Sequence, residues 1–143
     1  LHDTSARRRM VNPRKAYPVD PGLIPLFQRT TEPQAGHALE TAVLLELERR
    51  EYRVEYIKTK DGHEVDFHAS APGRDTLLIQ VSAQTHDAKT LDRELKALAG
   101  AHAEYPRTRS LLLTMEADPP ATALPPHVEW QAAAQWLLEG QDV

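Results

Sequence analysis

The sequence predicts an α/β fold built on a mixed β-sheet, and two observations support this prediction. An amphipathic helical pattern precedes three consecutive segments in which apolar and polar residues alternate as they do in strands. A second amphipathic helix then leads into a short, almost wholly apolar segment, which is typical of a strand buried on both faces. We therefore expect the order α-β-β-β-α-β, followed by a C-terminal helix.

Composition narrows the possible classes of protein. The chain has 143 residues, of which 41% are hydrophobic and 27% are charged, as is ordinary for a globular protein of one domain. It contains no cysteine, which excludes disulfides, thiolate metal sites and thiol catalysis and agrees with a cytoplasmic location. Its apolar runs are far shorter than the roughly 20 residues of a membrane helix, so we expect no membrane partner.

Charge is unevenly distributed along the chain. The net charge is −4, yet residues 1–15 contain five basic side chains, from Arg7 to Lys15, against the single acid Asp3. We expect residues 1–13 to form a basic, flexible leader and residues 14–143 to form one domain, with a short helix at 23–28. The basic arm Arg7–Lys15 is either a solvated tail or a contact for phosphate groups.

The first long helix is predicted from Pro33 or Gln34 to about Arg50. Leu39, Val43 and Leu47 recur at the spacing of one buried helix face. Glu40 lies at the edge of this apolar stripe, where a carboxylate costs free energy unless it reaches water or a partner.

Three strands follow this helix. The first two form a hairpin around Lys60-Asp61-Gly62, and the second runs from His63 to Ala69. The third runs from Thr76 to Ser82. Because side chains alternate along a strand, pairing of the last two strands would give one apolar face and one polar face. The polar face would gather four residues: Glu64, Asp66, Gln80 and Ser82.

The rest of the chain completes the predicted fold. Asp87 is a plausible N-cap for a helix over about 88–103, and Ser110–Thr114 is the buried strand. The core of the fold thus covers about residues 33–114. Residues 118–126 form a proline-rich connection, and a last helix is expected at 129–139.

Two tryptophans lie in the predicted last helix. Trp130 and Trp136, at helical spacing, are more typical of a core than of an interface. The alternative is that they anchor a dimerisation module.

Motifs for common chemistries are missing. There is no glycine-rich phosphate loop and no G-x-S-x-G elbow, so the sequence contains no recognised nucleotide cradle or serine-hydrolase site.

The remaining polar residues carry a family resemblance. A helical Glu40, Asp66 in the second strand of a hairpin, and the Gln80-Val81-Ser82 segment of the third strand resemble the PD-(D/E)XK superfamily, the restriction-endonuclease-like fold, over about residues 33–114. More narrowly, the chain resembles the C-terminal domain of unknown function that follows an AAA-type ATPase module in bacterial and archaeal ATPases. This narrower resemblance implies an ATPase module upstream of residue 1. Its matching segments are Arg14-Lys15-Ala16-Tyr17, Asp20-Pro21-Gly22-Leu23, Gly36 with Glu40, YIKTKDGHEVDF, LIQVS, Arg93-Glu94-Leu95 with Leu98, and Trp136-Leu137-Leu138.

The resemblance implies a chemistry for the site. In active members carboxylates hold Mg²⁺, which activates water for attack on a phosphodiester of DNA or RNA, and a lysine stabilises the developing charge. The implied Mg²⁺ ligands here are Glu40, Asp66 and Gln80. Gln80 stands at the position of the second acid and brings no charge, while Ser82 stands at the position of the lysine.

These departures lead to two hypotheses. The first is an accessory or interaction domain of an AAA-type ATPase, with a degenerate metal site and weak or absent catalysis. The alternative is a Mg²⁺-dependent nuclease, in which Glu64 and Lys89 are possible substitutes for the missing acid and lysine. Both hypotheses require Glu40, Asp66 and Gln80 to converge in one shallow pocket on the polar side of the sheet.

Overall fold

The computed structural model describes residues 35–139. The predicted leader at 1–13, the short helix at 23–28 and the expected start of the first long helix at 33–34 lie outside the described residues.

The described part contains three helices and five strands. This order confirms the predicted α/β fold with its α-β-β-β-α-β core and C-terminal helix, and the third strand has the predicted bounds. In chain order the elements are α1 (Ala35–Arg49), β1 (Arg53–Lys58), β2 (Glu64–Ser70), β3 (Thr76–Ser82), α2 (Ala88–Glu104), β4 (Thr108–Thr114), β5 (Val128–Ala132) and α3 (Ala133–Glu139).

The five strands form one mixed sheet in the order β1-β2-β3-β4-β5. The pairs β1–β2 and β2–β3 are antiparallel, whereas β3–β4 and β4–β5 are parallel. Parallel neighbours need a crossover, and α2 provides it between β3 and β4. Asp87 caps this helix as predicted, because its side chain accepts a hydrogen bond from the backbone N–H of Lys89.

The prediction of a single helix over 129–139 was wrong. Val128–Ala132 forms a strand, and the helix begins only at Ala133. The reason is tertiary: β4 has an edge that pairs in parallel with this segment, from Ser110 opposite Val128 to Thr114 opposite Ala132. The segment therefore follows a period of two residues, which the helical spacing of the tryptophans obscured.

Apolar side chains cover both faces of the sheet. Against α1 and α3 the cluster includes Val43, Phe67, Ile79 and Trp136. Trp136 is 5% exposed, which confirms its prediction as a core residue.

Against α2 the second cluster includes Leu78, Leu98 and Leu112. The face of β2 and β3 that was expected to be polar is thus apolar along part of its length. Val65 belongs to this cluster rather than to that of Phe67, and the β1–β2 register is irregular nearby, between Glu55 and Ile57. Among the residues described, no helix combines the length and apolarity that crossing a bilayer requires.

Candidate functional site

Asp66 and Gln80 lie where β2 begins to separate from β3. The paired residues run from Ala69 opposite Leu77 to Phe67 opposite Ile79. Next to the last pair, hydrogen bonds between side chains and backbone join the two strands. The backbone N–H of Asp66 donates to Gln80 Oε1 at 3.3 Å, and the backbone N–H of Val81 donates to Asp66 Oδ2 at 2.9 Å. Both side chains are 5% exposed, so the sheet itself holds this acid and this amide in place.

A cavity of about 590 Å³ opens at this end of the sheet, and we call it the acidic cavity. It lies between the beginning of α1, the β1–β2 turn, the end of β3 and the first half of α2. The structure therefore brings together the three residues whose convergence was expected, with further polar residues, of which four matter for the chemistry of the site. These side chains are Glu40, Glu64, Asp66, Gln80, Ser82, Arg93 and Glu94.

The carboxylates of this cavity act on Tyr56, a residue that the sequence analysis did not select. Burial raises the pKa of the Tyr56 phenol well above its usual value, and a hydrogen bond to Glu64 raises it further. The negative charges of Glu64, Asp66 and Glu40 add to the effect. The phenol therefore remains protonated, and three acids from two elements share one electrostatic environment.

Glu94 is the second residue that the sequence analysis did not place in the site. It is 6% exposed and accepts hydrogen bonds from Gln80 Nε2 and, at 2.7 Å, from the Arg93 guanidinium. Burial raises the pKa of this carboxyl group, and the nearby charge of Asp66 acts in the same direction, while the bond from Arg93 opposes them. One sequence signal was present, since Glu94 interrupts the buried stripe between Leu91 and Leu98.

Glu64 and Lys89, the possible substitutes for the missing acid and lysine, occupy different positions relative to the cavity. Glu64 lines the cavity, with 47% of its side chain exposed and one oxygen 3.8 Å from Lys58 Nζ. Lys89 is exposed in the first turn of α2 and does not line the cavity, whereas Arg93, one turn further along, does. Among the described residues that line the cavity, Arg93 rather than Lys89 therefore supplies a positive charge.

Ser82 occupies the position of the lysine in the family pattern without supplying a charge. Its hydroxyl donates to the backbone oxygen of Gln84 at 2.9 Å, and the residue is 5% exposed.

The donor set fits Mg²⁺ in its chemistry. Magnesium prefers oxygen ligands, and the cavity offers four carboxylates and the amide oxygen of Gln80. Within residues 35–139 no three acidic or histidine side chains already stand as a ready-made ligand group. Asp66, Gln80, Glu94 and Glu40 are the residues that would hold the ion, and a bound ion would lower the pKa of a water molecule.

Comparison with known proteins gives one family match. Residues 32–123 match the family model Mrr_cat, described as Restriction endonuclease. No curated protein and no solved structure matches significantly. The matched segment covers well over half of the chain and contains every polar side chain of the acidic cavity. The chain therefore belongs to this restriction endonuclease family and has the fold of the PD-(D/E)XK superfamily.

Proposed function

We propose that this protein region is an accessory domain of a cytoplasmic AAA-type ATPase, and that its nuclease-like site is catalytically weak or inactive. The ATPase context is supported by the narrower sequence resemblance, from Arg14-Lys15-Ala16-Tyr17 to Trp136-Leu137-Leu138. The proposal of weak catalysis is supported by the two neutral side chains of the acidic cavity, Gln80 and Ser82.

One observation carries the proposal of weak catalysis: the Gln80 amide is held between Asp66 and Glu94. Its oxygen accepts from the Asp66 backbone, and its nitrogen donates to the Glu94 carboxylate. An amide in this position brings no negative charge toward a metal ion. Opposite charges about 4 Å apart attract by ~4 kcal/mol at an effective dielectric constant of 20, so the missing charge weakens metal binding appreciably.

The neutral Ser82 supports the same conclusion. A positive group at this position would stabilise the charge that develops on a phosphodiester under attack. By analogy with the removal of one oxyanion-hole donor, its loss costs about 10²–10³ in rate.

A cleavage assay tests the proposal. The full-length protein is incubated with single- and double-stranded DNA and RNA in Mg²⁺ or Mn²⁺, beside Asp66→Ala and the surface control Asp92→Asn. We expect all three proteins to leave the substrates intact over the same period. Cleavage by the wild type and by Asp92→Asn, but not by Asp66→Ala, would overturn the proposal.

The ATPase context has a separate test. The full-length protein should hydrolyse ATP at equal rates in the wild type and in Asp66→Ala, because the proposal gives the acidic cavity no part in that reaction. Absence of ATP hydrolysis from the wild type would remove the ATPase part of the proposal.

A second candidate function is Mg²⁺-dependent cleavage of DNA or RNA. The observation in its favour is that the cavity contains a further acid, Glu94, and a cation, Arg93, from α2. Under this candidate, cleavage in the assay above is lost both in Asp66→Ala and in Glu94→Gln.

A further inference from the structure

Glu94 is an unusual residue for its position in the fold. It lies on the buried side of α2, between Leu91 and Leu98, and is 6% exposed. A buried carboxylate costs free energy unless its charge is compensated. The side chain also lines the acidic cavity, so a function in that cavity would account for an acid at this point.

Gln80 and Glu94 are complementary partners. The Gln80 amide donates directly to the Glu94 carboxylate, and both residues are buried and line the cavity. Exchanging the amide and the acid between the two positions would keep one donor, one acceptor and one negative charge. An acid on α2 therefore lies within hydrogen-bond distance of the place that an acid at position 80 of β3 would occupy.

The charges around Glu94 leave it a suitable ligand for a cation. Its ion pair is with Arg93, whose side chain is 68% exposed, so water screens this guanidinium. The negative charge of Asp66 also acts on Glu94 and raises the pKa of its carboxyl group. A divalent cation between these two acids would offset their mutual repulsion.

We propose that Glu94 supplies, from helix α2, the acid that strand β3 lacks at Gln80, so that Asp66 and Glu94 together are the principal carboxylates toward Mg²⁺. This inference rests on the location of the metal site in the proposed function and concerns cation binding, not cleavage. If Glu94 replaces the charge missing at Gln80, weak catalysis rests on the neutral Ser82 at the position of the lysine.

The experiment measures stabilisation by cations. The unfolding midpoint of the full-length protein, or of the transition assigned to this domain, is followed against Mg²⁺, Mn²⁺ and Ca²⁺ after treatment with chelator. A ligand that binds only the folded state raises stability as its concentration exceeds the dissociation constant. We expect Glu94→Gln and Asp66→Asn to weaken the apparent cation affinity by about tenfold or more.

Asp92→Asn is the matched control. It makes the same type of change on the same helix, at an exposed acid that pairs with Lys96 outside the cavity. We expect this variant to keep the cation affinity of the wild type. An equal loss in Asp92→Asn and in Glu94→Gln would assign the effect to general surface charge and overturn the proposal.

The exchange variant Gln80→Glu/Glu94→Gln gives the sharpest test. It preserves the number of charges and the hydrogen-bonding groups of the pair, so it should fold even if Glu94→Gln does not. We expect it to recover most of the cation affinity that Glu94→Gln loses. A folded exchange variant that does not bind would overturn the proposal.

The two proposals fail in different ways. If Asp66→Asn loses cation binding and Glu94→Gln retains it, the metal site stands and the role of Glu94 is wrong. If both variants retain the cation affinity of the wild type, the ion binds elsewhere and the metal site of the proposed function is wrong as well. Cleavage of DNA or RNA overturns only the proposal of weak catalysis.

Discussion

Within residues 35–139, two cavities of similar size differ in their charge balance. The acidic cavity lies at the end of β3 and has four carboxylates and one guanidinium. A second cavity of about 490 Å³, here called the arginine cavity, is bordered by the first halves of β3 and β4. Its charged side chains are three arginines and three acids: Arg50, Arg74, Arg109, Asp75, Glu129 and Glu139.

Charges in the arginine cavity are paired within the fold. Arg109 bonds Glu129 at 2.6 Å, and Arg50 lies over the Trp136 ring at 4.2 Å while donating to its backbone oxygen. Arg74 donates to the backbone oxygen of Arg50 and lies over the Tyr52 ring at 5.6 Å.

This difference separates a polar cavity that stabilises the fold from one that can bind a ligand. Internal partners satisfy the guanidiniums of the arginine cavity, so these groups hold α1, α3 and the sheet together. Among the described residues, the lining of the acidic cavity carries four carboxylates and one guanidinium, and this ratio favours an external cation. The four predictions below separate a structural cavity from a binding cavity, beginning with the largest expected effect.

Trp136→Ala should have the largest effect, and on stability alone. Trp136 is buried in the core at the arginine cavity, and removing a buried tryptophan costs about 3–5 kcal/mol of unfolding free energy. Urea denaturation measures the loss, and the cation affinity of the folded fraction should not change. A variant of normal stability, or one that changes only the sedimentation coefficient, would restore the interpretation of Trp136 as an interface residue.

Glu46→Gln should show a smaller, pH-dependent effect. Glu46 bonds Arg49 and Arg50, and these bonds lower its pKa to about 2 from the usual 4.5. A lowered pKa means that the carboxylate stabilises the fold above about pH 4.5 and loses this contribution as the pH falls toward 2.

At neutral pH the Glu46→Gln variant should be less stable than the wild type by about 1–2 kcal/mol. The difference between the two proteins should shrink below pH 4, as urea denaturation at several pH values would measure. A difference that stays constant down to pH 2 would contradict the role assigned to this carboxylate.

Arg93→Gln should change binding more than stability. Its exposed ion pair contributes less than about 1 kcal/mol, so the unfolding free energy should fall only slightly. Removing a positive charge beside Glu94 should strengthen Mg²⁺ binding a few-fold at low ionic strength.

Arg109→Gln is the matched change in the arginine cavity. It should leave Mg²⁺ affinity unchanged, because Arg109 pairs with Glu129 at the other cavity. Calorimetric titration of both variants with Mg²⁺ measures the contrast. Equal effects of the two substitutions would remove the distinction between the cavities.

Lys89→Gln should have the smallest effect. The side chain is exposed and outside the acidic cavity, so stability should stay within about 0.5 kcal/mol of the wild type and Mg²⁺ affinity should not change. A change in Mg²⁺ affinity comparable with that of Arg93→Gln would contradict the position of Lys89 outside the cavity.

Local sequence patterns predicted much of the fold and the centre of the site. The alternation in TLLIQVS predicted the bounds of β3, and the position of Asp87 predicted the start of α2. Glu40, Asp66 and Gln80 line one cavity as expected, because the family pattern specifies which strand and helix each occupies.

Two features escaped sequence analysis for a shared reason. β5 is a strand because it pairs with the edge of β4, and Glu94 is a site residue because α2 packs over Gln80. Both contacts join residues of different elements, so no local sequence pattern predicts them.

The amino-acid sequence by itself determined the order of elements from α1 to β4, the polar residues of β2 and β3, and the neutral groups at positions 80 and 82. Those properties depend on periodicity and side-chain chemistry, which are local. Only the tertiary structure decided that an acid from α2 joins Asp66, and that the arginines of the other cavity are already paired. Electrostatic energy depends on distances between side chains, and these are set by packing between elements far apart in the chain.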